Sequence, residues 1–158
     1  KQSLQFERAQ ARMRPGVIAR DGFLGDDRRP LVEILDEDEA AVRRLGVTHA
    51  ALAARMRALR AAGAAGLGGA VAVPPHFEVT VDSFRGRLRC PFGDAAAPKT
   101  HVAVVNRALG REIVYSDLAI HLIAAHGFYN GRGSPYRLEP RELAAVLEVP
   151  RNAEDNAG

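Results

Sequence analysis

The chain has 158 residues, a formal net charge of +3 and 47% apolar residues. That length suits one domain able to bury roughly 70% of its unfolded surface, and that apolar content excludes a disordered segment. No apolar run reaches the roughly 18 residues of a membrane span, no secretory pattern is visible at the start, and the lone cysteine, Cys90, excludes an internal disulfide, so the expected setting is the reducing cytoplasm with no membrane partner. Of the 22 basic residues only Lys1 and Lys99 are lysines. With abundant alanine, that bias points to a GC-rich coding sequence and a bacterial source. The mild positive charge permits an anionic partner without requiring one.

Residues 3–13 are expected to form a short helix that Pro15-Gly16 breaks. Pro30 opens a second helix, acidic early (Asp36 to Glu39), basic late (Arg43, Arg44) and closed by Gly46. Thr48 caps a third helix over roughly 49–65, with Leu52, Met56 and Leu59 on one stripe. Gly63, Gly66, Gly68 and Gly69 mark residues 63–70 as a hinge. Beyond it the period changes to two. Residues 76–82, 84–90, 101–106 and 111–115 read as strands, with a hairpin turn at Ala108-Leu109-Gly110. Ser116 caps a helix over 117–125, Gly127 ends it, and Pro140 opens the last helix. Helices, then strands, then helices predict an α+β fold. The expectation is one domain over 1–150, comprising a helical part (1–65), an antiparallel sheet of about four strands and two C-terminal helices. Residues 151–158 read as a frayed polar tail.

Chemistry concentrates between residues 90 and 126. Cys90, Asp94, His101, His121 and His126 are the candidate metal ligands, with zinc the metal their donor types suit. On a regular helix, however, His121 and His126 stand about 140° apart and meet one ion only at a distorted or terminated helix end. Each also has a purely structural role available: Cys90 as a small buried hydrophobe on the face of Leu88, His121 as a core hydrogen-bonder, His126 as a helix terminator. A Cys90 nucleophile, served by His101 or His121 with Asp94 or Asp117 as orienting acid, is a third use of the same residues.

Two further features concern anions. Arg85, Arg87 and Arg89 alternate along one strand and are expected to share a face, and the Gly131-Arg132-Gly133-Ser134 loop offers amides. Residues 38–60 resemble a helix-turn-helix, with Gly46 in the turn, Thr48 at the cap and Leu52 at an apolar position of the second helix. The resemblance implies DNA binding through that second helix. Its departures are Val42 where alanine is usual and Arg55 where an apolar residue turns inward, and an ordinary helical hairpin has the same pattern. The sequence therefore favours a non-enzymatic binding or structural module, its basic sheet face (Arg85, Arg87, Arg89 and Arg132) meeting nucleic acid or another anion and no cofactor required. The alternatives are a zinc-binding or Cys/His-dependent site and helix-turn-helix DNA recognition. No base, nucleophile and oxyanion donor can be assigned together, which argues against an enzyme.

Overall fold

A computed structural model describes residues 2–152 and has the expected α+β architecture. In chain order the elements are α1 (Leu4–Arg12), α2 (Leu31–Arg44), α3 (His49–Ala64), β1 (Val71–Val73), β2 (Phe77–Arg89), β3 (Ala96–Asn106), β4 (Arg111–Tyr115), α4 (Asp117–His126) and α5 (Pro140–Val146). The strands form one antiparallel meander in the order β1-β2-β3-β4. Among the described residues no helix is long and apolar enough to cross a membrane.

The helix ends follow from local chemistry. Ser3, Thr48 and Ser116 accept amides three residues on with their side-chain oxygens, each satisfying an orphan donor of a first turn. Gly127, at φ 59°, ends α4 in the left-handed region, and its amide and that of Phe128 close on Ile123 and Leu122.

The strands differ from expectation in two ways. The runs at 76–82 and 84–90 belong to one long strand, β2, and the remaining member of the sheet is the short β1. Phe84 pairs with Lys99 while Arg87 pairs with Pro98, so Arg85 and Gly86 are extra residues in a bulge. Gly86 takes φ 104° there. Before the bulge, Phe77, Val79 and Val81 are buried in alternation; after it, Leu88 pairs with Ala97 and packs into a different core. The glycines at 63–70 are not a simple hinge either. Gly63 lies inside α3, where a Cβ would stand 2.4 Å from Val79 Cγ1, so it lets α3 settle closely on β2.

Two apolar cores result. The larger joins α3, β2, β3 and β4 with α5 through residues such as Leu52, Met56, Val79, Val104 and Leu143. The smaller holds Ala9, Met13, Phe23, Leu31, Ile34, Cys90, Ala97 and Phe128. Helix α4 divides them: Ile120 and Ile123 face the larger core, Leu118 and Leu122 the smaller. Of the expected tail, Arg151 and Asn152 lie against Gly46, whose carbonyl accepts the Asn152 amide, and residues 153–158 fall outside the described residues.

Candidate metal centre

After β2, the chain turns sharply through Cys90-Pro91-Phe92-Gly93-Asp94. The Gly93 amide bonds to the Cys90 carbonyl at 2.9 Å and the Cys90 amide to the Ala95 carbonyl at 2.8 Å. Gly93 takes φ 87°, a left-handed conformation that glycine adopts without strain. This geometry turns the Phe92 and Asp94 amides onto the Cys90 sulfur. The turn packs against the last turn of α4, where the Phe92 ring stacks on the His126 imidazole with centroids 4.0 Å apart and planes at 11°.

One donor atom from each of Cys90, Asp94, His121 and His126 lies within 4.8 Å of the other three. The two oxygens of Asp94 take one imidazole each: His121 Nε2 is 2.9 Å from Oδ1 and His126 Nε2 is 2.9 Å from Oδ2. The difficulty of the five-residue spacing is met here. Asp94 spans the two imidazoles, His126 is the last helical residue, and the rings approach edge-on at 5.4 Å. His101 does not join them. It lies exposed on β3, paired in register with Asp82.

The electrostatics are those of a carboxylate surrounded by proton carriers. Burial works to raise the Asp94 pKa, but hydrogen bonds from Cys90, His121 and His126 outweigh it and hold the carboxyl well below its ordinary range. Burial first, and then the Asp94 carboxylate, push the Cys90 thiol up to about 11. The thiol is 1% exposed. A buried thiol in its protonated form is a poor nucleophile, so the geometry does not favour thiol catalysis. The same atoms suit a cation. Sulfur and both imidazole nitrogens become ligands by losing the protons that now face Asp94, and the two amides on the sulfur stabilise thiolate. Tetrahedral zinc, with bonds of about 2.0–2.3 Å, holds its ligand atoms about 3.3–3.8 Å apart. The four donors are therefore within about 1 Å of that spacing.

The basic groups assemble less well. Arg85, Arg87 and Arg89 are all exposed, but the bulge at 85–86 takes Arg85 out of phase with the other two, and Arg87 donates to the Ala96 carbonyl across its own hairpin. The loop at 131–134 is already supplied with anions. The Arg132 amide donates to Asp27 Oδ2 at 3.0 Å and its guanidinium pairs with Glu37. The second helix of the helix-turn-helix resemblance, α3, is packed at its first turn, where His49 meets both Glu39 and Tyr129. Arg55 lies over the Phe77 ring and donates to the Leu147 carbonyl. The face of α3 left exposed carries Ala50, Ala54, Arg57, Ala58 and Ala61.

Sequence reasoning missed Phe92, whose place in the turn was the available signal. It also missed a cavity of about 410 Å³ beside α4, for which no local signal exists because its walls come from segments spread between residues 19 and 138. No protein-family model, no curated protein and no solved structure matches the chain.

Proposed function

We propose that this protein is a zinc-binding protein in which Cys90 Sγ, an Asp94 oxygen, His121 Nε2 and His126 Nε2 hold one ion as a structural clamp. The observation that carries this reading is the convergence of four zinc-competent donor atoms within 4.8 Å, drawn from two segments more than 20 residues apart. Four protein ligands leave no open position for substrate, which favours a structural over a catalytic ion. The clamp ties the β2–β3 turn to the C-terminal end of α4. Through that turn it also holds α1, because Arg12 Nε donates to the Pro91 carbonyl at 2.7 Å and Phe6 meets Phe92 edge-on at 6.4 Å. A thiolate ligand persists in a reducing compartment, which fits the cytoplasm.

Zinc titration of the metal-stripped protein against a chromophoric chelator tests the proposal. We expect one equivalent bound by the wild-type chain, at least about 100-fold weaker binding in Cys90→Ala and in His126→Ala, and unchanged binding in His101→Ala, whose side chain lies outside the cluster. Substoichiometric uptake, or equal affinity in wild type and Cys90→Ala, overturns it.

A further inference from the structure

The cavity beside α4 is independent of the ion and offers a second kind of chemistry. Its walls come from five stretches: Ala19 to Phe23, Leu88, Pro98 to His101, Val114 to Ser116 with the α4 residues Leu118, Ala119 and Leu122, and Asn130 with Pro135 to Leu138. The floor is apolar, with Phe23, Leu118, Leu122 and Leu138 buried beneath it. Two lining side chains stay uncovered despite their apolar surface: Val114 is 41% and Tyr136 58% exposed. A volume of about 410 Å³ falls within the range of small-molecule sites, roughly 300–1,000 Å³.

Among the charged groups around it, cations outnumber carboxylates. The cations Arg20 and Lys99 and the imidazole of His101 line the cavity, and among the described residues no hydrogen bond or ion pair engages these three side chains. The remaining cation of the lining, Arg137, is committed to Asp38 and Glu139. Asp21 supplies the lone carboxylate of the lining. Apolar walls give a bound molecule its affinity, while unpaired cations at the edge of a low-dielectric cleft select the sign of its head group.

We propose that this cleft binds a small amphipathic anion: a molecule with an apolar chain or ring that lies on Leu118, Leu122 and Leu138, and a carboxylate head that meets Arg20, Lys99 and His101. His101 thereby has a role apart from the metal cluster. The neutral analogue of such a ligand shares its burial and lacks its ion pairs, so the two should differ in affinity by about tenfold or more.

The test is fluorescence titration of the folded protein with anilinonaphthalene sulfonate, followed by displacement with decanoate and with decanol. Saturable binding at one site is expected, with decanoate displacing the probe at about a tenfold lower concentration than decanol. The variant Arg20→Gln/Lys99→Gln/His101→Gln alters exposed side chains only. It should keep its circular dichroism and its response to decanol while losing the preference for decanoate. Absence of saturable binding, equal displacement by the two compounds in the wild type, or an unchanged preference in the variant would each overturn the proposal.

Discussion

The two cores on either side of α4 are built to different plans. The larger is closed by regular structure: three strands alternate in register against α3, and α5 seals the end through Leu143, Val146 and Leu147, all buried. The smaller is closed by α1, the start of α2, loops and the bulged end of a hairpin, and its packing stops at polar groups: the Cys90 cluster at one edge and the cationic cleft along another. Elements with few ladder bonds and little buried area hold their positions weakly. That is where an ion or a ligand has most to add. The comparison assigns stability to one core and chemistry to the boundary of the other.

The largest expected effect lies outside both apolar cores. Arg137 and Asp38 form a two-point ion pair at 2.7 and 2.8 Å, with side chains only 12% and 6% exposed. Asp38→Ala leaves the largely buried guanidinium with only the exposed Glu139 as counter-charge and should cost about 3–5 kcal/mol in a denaturant melt. Leu122→Ala, in the smaller core, removes a side chain that is 2% exposed and should cost about 2–5 kcal/mol. On the proposed reading, in which the ion binds the folded chain alone, zinc at 100 times its dissociation constant should return about 2.7 kcal/mol to that variant, as to the wild type. If the comparison is right, zinc also slows amide exchange in α1 and in the 90–94 turn far more than in α3. Uniform protection across both cores would break it.

Smaller effects sharpen the same contrast. Arg12→Ala deletes the hydrogen bond to the Pro91 carbonyl and should cost about 1 kcal/mol, with faster exchange confined to α1. Asp27, held by Arg29 and the Arg132 amide against the opposing effect of burial, has its pKa lowered from 3.8 to about 2. A carboxyl depressed in the folded state contributes stability that is present above pH 3.8 and is lost as pH falls towards 2. Asp27→Asn should therefore flatten the acid limb of the stability profile in that window; an identical limb in both proteins would count against the assignment.

Much of the architecture is legible in local chemistry. Thr48, Ser116, Gly127 and Pro140 mark helix ends by mechanisms that act within a few residues, and the change of period past residue 70 announces the sheet. The bulge at Arg85-Gly86 is not legible in that way, because an alternating run looks the same on either side of two inserted residues. That is why the arginines of β2 read as one face, whereas β2 reads as two strands because the apolar positions change from odd (Phe77, Val79, Val81) to even (Leu88, Cys90). The cluster is half legible. Residue types single out Cys90, Asp94, His121 and His126, and also His101, as groups able to hold a metal. Which of them meet depends on how a turn after β2 docks on the end of α4, a contact between segments that no periodicity encodes. The cleft, assembled from five stretches, is not legible at all.

The central claim is that one ion is held by sulfur, two imidazoles and a carboxylate. X-ray absorption at the zinc edge of the protein loaded with one equivalent tests it most directly. The account predicts a four-coordinate first shell with one sulfur at about 2.3 Å and three nitrogen or oxygen neighbours at about 2.0–2.2 Å, with imidazole scattering from two rings. A shell without sulfur, or one filled mainly by water oxygens, would contradict it.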